Sequence, residues 1–437
     1  MHRARLSVRE LGLSLGEDAS VRLATYTMPP SARAEQLRSA VSPGLFWAQF
    51  GDTTLLYGDE TRWEEVPADV RRHSLERREY PTSVQKEHLH LVVQNGRLFQ
   101  QEQPHVPVIL DKGRILLVEL DADQAHQLAE KSPTCYGVLP LPENQVVFDV
   151  RDSALARTAR VNGIENLVSK VARASLEANL THLAAFPTRY STSTHYANAA
   201  TWAQNQLQAL HYTTRWQTVM VNGSRSRNVI ADKKGNAAGR HEVVLITAHL
   251  DSINLQGGPT APAPGADDNG SGSAGLLEIA RAFADHPIEH DLRFILFGGE
   301  EEGLFGSQRY VASLSASEKR RIRAVINMDM IGTLNTSTRS VLLEGAPLSQ
   351  QIINGLAAAA ATYTQLTVET SLNPFASDHV PFINAGIQAV LTIEGTDNTN
   401  SNIHSSRDTI DHINYDLALD ILRMNVAYIA SEVGHAS

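Results

Sequence analysis

The sequence contains a single cysteine, Cys135, among its 437 residues. One cysteine excludes an intramolecular disulfide and a metal site built from several thiolates. The chain also lacks any run of about 18 apolar residues, which argues against a membrane-spanning helix. Charged side chains interrupt its first residues, so we expect no export signal at the start of this sequence, and the compartment is left undetermined.

No stretch rich in lysine and arginine occurs either. The chain has 38 Lys and Arg against 48 Asp and Glu, which gives a net charge of -10. This balance argues against nucleic acid or an anionic membrane as a partner. With 42% hydrophobic and 20% charged residues, the composition is that of an ordinary globular protein, and the length suggests two or three domains.

The first 155 residues have the pattern of a small α+β domain. Apolar stretches at 46–50, 89–93 and 115–120 predict strands separated by Gly, Pro and Asp turns, and a helix is expected after Asp121. No catalytic motif is recognisable in this part. We therefore predict that residues 1–155 form an accessory or prodomain-like domain.

The pattern changes at residue 164. Apolar side chains recur at a period near 3.6 residues from Ile164 to Leu183, which predicts one amphipathic helix. Apolar strands that alternate with helices follow, a pattern typical of α/β proteins. Strands are predicted at 243–247, 292–297, 324–328 and 389–393, and helices at 276–283, 348–361 and 416–429. We predict a second domain over residues 164–437 with a mainly parallel mixed sheet, covered by helices on both faces.

Carboxylates and imidazoles follow several of these strands. In such a sheet, ligands bind beyond the carboxyl ends of the strands. Carboxylate and imidazole groups together suit zinc. The motifs are His249 with Asp251, Asp267 with Asp268, the three glutamates at 300–302, Asp329 and His404.

Each motif on its own has a structural explanation. The Asp, Asn, Ser and Gly residues of the segment 265–272 are common in turns and helix N-caps, and a run of glutamates is usually an exposed charged surface. Their occurrence together favours a metal site. A glutamate run directly after the apolar strand 294–297 should lie near a buried sheet end, where unpaired negative charge is costly unless a cation is present.

These ordered motifs, with the segments LAAFPTRY at 183–190 and ATWA at 200–203, resemble the bacterial di-zinc leucyl aminopeptidases, a family of co-catalytic zinc exopeptidases. The resemblance covers the C-terminal part of the chain, from residue 180 onward. It implies a zinc exopeptidase-like fold and two zinc ions per chain, with cobalt or manganese as alternatives. It also implies peptide substrates with a free N-terminus, and it implies no particular oligomeric state.

The resemblance implies which residues bind the metal ions. Each zinc has one imidazole and one carboxylate of its own, and a further carboxylate bridges the two ions. The implied ligands are His249 and Asp329 for one ion, Glu301 and His404 for the other, and Asp267 as the bridge.

The remaining implied roles are catalysis and orientation of ligands. Gly303 fixes the register of the three glutamates, so that Glu302 is the variable position and Glu300 the general base. Asp251 and Asp268 correspond to carboxylates that orient the ligating imidazoles.

The sequence departs from the family pattern around the site. Relatives carry a cysteine pair and a tyrosine before the segment 377–379, or a tyrosine immediately before the last histidine. Here residues 371–376 contain neither, and Ile403 precedes the histidine. Met330, Phe375 and Ile403 are apolar neighbours of the motifs. They are candidates for a pocket that accepts leucine-like side chains and, equally, for core packing.

The predicted function is hydrolysis of N-terminal, hydrophobic residues from peptides by a metal-activated water and a glutamate base. Two alternatives on the same fold stay open. A carboxypeptidase or other amide hydrolase would be indicated by a basic residue paired with the substrate carboxylate. A glutaminyl cyclase-like transferase would be indicated by binding of one zinc per chain.

Overall fold

The computed structural model describes residues 20–27, 44–59, 76–80, 83–94, 96–131, 136–151, 156–239 and 241–434. These residues form two compact units. The first comprises the described residues within Met1–Val92, Glu102–Ser132 and Val138–Asp149, and the second comprises those within Val93–Gln101, Pro133–Gly137 and Val150–Ser437. No described helix is long and apolar enough to cross a membrane.

The first unit is built mainly from short strands. One sheet has the order β10-β2-β3-β1-β4, with β5 paired to β1, and the other has the order β7-β8-β6-β9. The strands are β1 Ser20–Thr27, β2 Leu45–Phe50, β3 Thr53–Gly58, β4 Glu76–Glu79, β5 Val84–Gln85, β6 Leu89–Gln94, β7 Val108–Lys112, β8 Ile115–Glu119, β9 Tyr136–Pro140 and β10 Gln145–Val150. The helix α2 Ala122–Lys131 lies in this unit, whereas α1 Leu98–Glu102 belongs to the second unit except for Glu102. The smaller α+β architecture expected for this part of the chain is confirmed.

Besides residues 150 and 151, where the second unit continues to the end of the chain, two short segments of the first 155 residues belong to it. They are Val93–Gln101, which carries most of α1, and the described residues Tyr136 and Gly137. The Phe99 ring of α1 is fully buried and meets the Tyr136 ring edge-on, with centroids 5.1 Å apart. This division differs from the single boundary expected between residues 155 and 164, because it depends on contacts between residues far apart in the sequence.

The second unit contains a mixed sheet with the order β11-β12-β14-β13-β15-β18-β16-β17. Its strands are β11 Thr213–Val221, β12 Ser224–Lys233, β13 Val243–His249, β14 Asp291–Phe297, β15 Ile322–Met328, β16 Ser340–Glu344, β17 Thr367–Ser371 and β18 Ala389–Glu394. The four strands β14, β13, β15 and β18 run parallel. Antiparallel pairs join this group to β12 and to β16. The predicted, mainly parallel mixed sheet is confirmed.

Helices cover both faces of this sheet. They are α3 Asn162–Val168, α4 Arg173–Ala184, α5 Thr194–Ala209, α6 Gly272–Phe283, α7 Phe305–Ser313, α8 Ala316–Lys319, α9 Gln350–Tyr363, α10 His379–Asn384 and α11 Tyr415–Val433. Alternate residues of β13 enter different hydrophobic clusters: Val244 and Ile246 pack with α6 and α11, whereas Val243 and Leu245 pack with α7 and α10. This alternation explains why the strand is apolar at every position.

One predicted helix is two helices in the structure. The apolar period from Ile164 to Leu183 is interrupted between α3 and α4, where Ala172 is extended with φ −121° and ψ 132°. The amide of Ala172 donates to Oε1 of Glu278 at 2.6 Å, a fully buried carboxylate on α6. The prediction of one continuous helix was wrong, because this tertiary hydrogen bond replaces a helical one.

Candidate metal centre

The centre lies at the carboxyl ends of three neighbouring parallel strands. His249 is the last residue of β13, Asp329 follows β15 directly, and Glu300 lies in the turn after β14. These strands are hydrogen bonded to one another in parallel register. Their ends therefore meet at one edge of the sheet, as the positions of the motifs predicted.

One group of possible ligands surrounds the His249 imidazole. Its Nε2 lies 3.1 Å from Oδ1 of Asp329 and 3.2 Å from Oδ1 of Asp268. Oε2 of Glu300 is 4.0 Å away. Because the ligand atoms of His249, Glu300 and Asp329 all lie within 4.8 Å of one another, this group could hold one metal ion.

A second group surrounds the His404 imidazole. Its Nε2 lies 3.0 Å from Oδ2 of Asp268 and 3.1 Å from Oε2 of Glu301. The Asp268 carboxylate thus faces both imidazoles and offers a different oxygen to each. This is the arrangement of a carboxylate shared by two ligand groups.

The placement of Asp267 differs from its predicted role as the bridge. Its carboxylate accepts hydrogen bonds from the amide of Gly332 and from Nδ2 of Asn400, both at 2.9 Å. These contacts engage both of its oxygens, and the carboxylate that faces both imidazoles is that of Asp268, which was expected only to orient a ligand. Adjacent carboxylates cannot be told apart by spacing alone.

Asp251 lies where an orienting carboxylate was expected. Its Oδ1 is 3.7 Å from Nδ1 of His249, on the side of the ring away from Asp268. Its Oδ2 accepts from the amide of Glu301 at 3.1 Å. Asp251 therefore connects the backbone at one ligand group with the imidazole of the other.

Two supporting residues were not assigned from the sequence. The Asp408 carboxylate accepts hydrogen bonds from the main-chain amides of Asp267 and Asp268, each at 2.9 Å. It therefore holds the backbone at these two residues. The hydroxyl of Ser377 donates to Oδ2 of Asp329 at 2.7 Å. Ser377 begins the segment 377–379, which served above as a reference point in the family pattern, whereas no sequence signal marks Asp408.

Arg189 holds the loop that precedes Asp267 and Asp268. This fully buried guanidinium donates to four main-chain carbonyls: those of Leu250 and Gly265 at 2.8 Å, that of Leu183 at 3.1 Å, and that of Pro264. Burial lowers the pKa of Arg189 to about 10, although nearby carboxylates, Asp408 foremost, oppose the shift. The group supplies a buried positive charge beside an acidic centre.

The carboxylates of the centre are crowded and buried. Burial, and then the charge of Asp268, raise the pKa of Glu301 to about 7. Burial and the charge of Asp329 also raise the pKa of Glu300 well above its usual range, against the opposing effect of His249. For Asp268, burial is outweighed by hydrogen bonds and charges from His249 and His404, which lower its pKa.

The two imidazoles respond to this excess of negative charge. Burial alone would lower the pKa of His249, yet Asp329 and Glu300 raise it well above its usual value. His404 behaves alike, with Glu301 and Asp268 as the main opposing charges. Both shifts mean that this buried pocket favours added positive charge.

The part of the chain that contains this centre is similar to known proteins. Residues 228–429, which include every predicted metal ligand and Glu300, match peptidase family M28. These residues form a peptidase family M28 domain. The resemblance recognised from the ordered motifs is thereby confirmed.

Relatives of the M28 domain include enzymes and solved structures. Leucine aminopeptidase 1 of Arthroderma otae is 28% identical over 319 residues, which cover 65% of this chain and 84% of the relative. The structure of a zinc aminopeptidase from Bacillus subtilis matches with a TM-score of 0.53 and 19% identity, over 60% of this chain and 95% of that one. Porphyromonas gingivalis glutaminyl cyclase matches with a TM-score of 0.50 and 21% identity, over 60% and 99%. The fold is therefore shared between chains that carry different activity names.

The apolar residues proposed as a pocket are only partly brought together in the M28 domain. Met330 is buried in a small hydrophobic cluster, and Ile403 packs against it. Phe375 lies elsewhere: its amide donates to Oε1 of Glu344 at 2.9 Å, and its ring lies beside Gly137. The structure thus keeps Met330 and Ile403 as neighbours, and Phe375 is not part of their cluster.

Proposed function

We propose that this protein is a metal-dependent aminopeptidase that removes hydrophobic, leucine-like residues from the N-termini of peptides. The observation that carries this proposal is the position of Asp268, whose two oxygens lie 3.2 and 3.0 Å from the Nε2 atoms of His249 and His404. A carboxylate shared between two imidazole groups is suited to two metal ions held close together.

The residues present fit zinc. Four carboxylates converge on two imidazoles in a buried site, and the donors are the nitrogen and oxygen types that zinc accepts. Oε1 of Glu301 is buried without a hydrogen-bond partner. Such a charge excess is costly without a cation. His249, Asp329 and Asp268 would hold one ion, and His404, Glu301 and Asp268 the other.

Bound at this centre, zinc would polarise the scissile carbonyl and lower the pKa of the attacking water. Glu300 is the residue of this chain that handles the proton. Its carboxylate accepts a proton from the water whose oxygen bonds to the carbonyl carbon, and it then delivers a proton to the amine nitrogen as the carbon–nitrogen bond breaks. Oε2 of Glu300 lies 4.0 Å from Nε2 of His249, so this carboxylate is beside the ligand group at which the water would be activated.

The substrate preference has separate support. A free α-amine is cationic, and the acidic centre attracts it. Ile403, which packs against the buried Met330, lines a cavity beside the centre and offers contact for a leucine-like side chain. The relative from Arthroderma otae carries the name leucine aminopeptidase.

One experiment tests the proposal against its alternatives. The purified full chain, reconstituted with zinc, is given leucine p-nitroanilide and its N-acetylated form, with and without a strong chelator. We expect hydrolysis of the free amine alone and loss of that activity on chelation. Metal analysis is expected to give two zinc ions per chain.

Other results would contradict it. Equal hydrolysis of the acetylated compound would favour another amide hydrolase. A single zinc per chain, with cyclisation of an N-terminal glutamine substrate and no release of leucine, would favour a glutaminyl cyclase-like transferase. Activity that survives complete removal of metal would exclude the metal-dependent mechanism.

A further inference from the structure

A cavity of about 540 Å³ opens beside the metal centre within the second unit. His404, one of the two imidazoles on Asp268, forms part of its lining, and so does its neighbour Ile403. Ligand cavities of roughly 300–1,000 Å³ are large enough to bury most of a small organic ligand. This one has room for several residues of a peptide that reaches the centre.

The lining of this cavity differs in charge from the centre itself. Two arginines line it: Arg97, immediately before α1, and Arg407, three residues after His404. Leu98 and Leu255 add apolar surface. No aspartate or glutamate is among the described residues that line it. The cavity therefore combines apolar contact with cationic groups, next to an acidic centre.

Both guanidinium groups are held by neighbouring groups. Nε of Arg97 donates to Oε1 of Gln100 at 3.1 Å, and the burial of Phe99 anchors the start of α1. Nη2 of Arg407 donates to the carbonyl of Ser401 at 2.8 Å. Ordered guanidinium groups bind carboxylates well, because less side-chain freedom is lost when the hydrogen bonds form.

We propose that Arg97 and Arg407 bind the C-terminal carboxylate of short peptides, so that the preferred substrates are small peptides with both ends free. This inference rests on the proposed aminopeptidase activity. The α-amine of the substrate lies at the acidic centre, and its chain runs along the cavity past Ile403. The two charged ends of a short peptide thereby meet regions of opposite sign.

The test compares the zinc-loaded full chain on Leu-Gly-Gly and on its C-terminal amide, by following release of leucine. We expect kcat/KM for the free acid to exceed that for the amide about tenfold or more, because a charge-assisted hydrogen bond is lost in the amide. The preference should shrink at high salt, since both arginines are exposed.

Three variants isolate the role of the arginines. Arg97→Gln and Arg407→Gln should each reduce the preference for the free acid, mainly through a higher KM, and should leave hydrolysis of leucine p-nitroanilide unchanged. Arg309→Gln is the matched control, because Arg309 is exposed on α7 and does not line the cavity. It should leave the preference intact.

Equal kcat/KM for acid and amide, or a preference that survives both Arg97→Gln and Arg407→Gln, would overturn the inference while the aminopeptidase activity stands. Failure of the proposed function would look different. In that case neither Leu-Gly-Gly nor leucine p-nitroanilide would release leucine, or N-acetylated Leu-Gly-Gly would be cleaved as fast as the free peptide. Release of glycine before leucine from Leu-Gly-Gly would mean that the two arginines serve a carboxypeptidase.

Discussion

The carboxylates of Asp267 and Asp268 are adjacent in sequence but have separate partners. Asp268 faces the imidazoles of His249 and His404, whereas Asp267 accepts from the amide of Gly332 and from Asn400. The main-chain amides of Asp267 and Asp268 both donate to the carboxylate of Asp408. The backbone is therefore fixed at both residues, and the two side chains are not interchangeable.

Exchange of each aspartate for asparagine should separate these roles. Asp268→Asn removes the charge shared by the two ligand groups, and we expect zinc content to fall and kcat/KM to drop by about two orders of magnitude or more. Asp267→Asn keeps the shape and a hydrogen-bond acceptor, so it should retain both metals and stay within about tenfold of wild type. Metal analysis and kinetics of the two variants distinguish the roles. Loss of metal in Asp267→Asn alone would support Asp267 as the bridging carboxylate.

The three glutamates at 300–302 should respond differently to replacement by glutamine. Glu300→Gln is expected to keep both metals and to lower kcat by about two to four orders of magnitude, the usual effect of removing a general base. Glu301→Gln should weaken metal binding, because Oε2 of Glu301 lies 3.1 Å from Nε2 of His404.

Glu302→Gln is the matched control for this series. Oε1 of Glu302 accepts from the hydroxyl of Ser191 at 2.6 Å, a bond that glutamine can keep. Activity should remain within a few-fold of wild type. An inactive, metal-retaining Glu302→Gln beside an active Glu300→Gln would show that the roles are shifted along the run.

Asp291 should be important for stability far from the chemistry. Its buried carboxylate accepts from Lys234 at 2.9 Å, from Arg321 at 3.0 Å and from the amide of Gly235 at 3.0 Å. Asp291→Asn should lower the free energy of unfolding by about 2 kcal/mol, since charge-assisted hydrogen bonds are lost. Denaturant titration measures this, with the exposed Asp285→Asn as a control that should change little.

The Asp291 carboxylate should also make the stability of the fold depend on pH under acidic conditions. Burial would raise the pKa of Asp291, but the bond from Lys234, the amide of Gly235 and His241 lower it from 3.8 to about 2. A lowered folded pKa means that the stabilisation is present above pH 3.8 and is lost as the pH falls towards 2. Asp291→Asn should flatten the stability curve in this window; an unchanged slope would contradict the assignment.

Glu369 should make stability fall, not rise, as the pH increases towards neutrality. Burial, and then the charge of Asp397, raise its pKa from 4.5 to about 7. The folded state then binds a proton more tightly than the unfolded state, so stability falls as the pH rises from 4.5 to about 7. Glu369→Gln should remove up to about 3 kcal/mol of this decline, and the exposed Glu289→Gln should not. Unfolding titrations at pH 5 and pH 8 test this. If the prediction is wrong, the free energy of unfolding will decline equally in the wild type and in Glu369→Gln.

The sequence by itself determined the class of fold and the composition of the centre. Unbroken apolar strands such as β13 mark a sheet buried on both faces, because each face needs its own apolar residues. Motifs placed directly after such strands must meet at one sheet edge. For that reason the sequence places His249, Glu301 and Asp329 at one sheet edge, whereas His404 and the ligand roles are implied by the resemblance to the di-zinc aminopeptidases.

Only the tertiary structure decided which of two adjacent aspartates faces the imidazoles. That choice depends on hydrogen bonds to the carboxylate of Asp408 and from Gly332 and Asn400, all distant in sequence. The same holds for the break between α3 and α4, which a side chain on α6 stabilises. It holds also for Val93–Gln101, which belongs to the second unit although it lies among residues of the first. Periodicity reports local burial, whereas these features depend on long-range partners that no local pattern encodes.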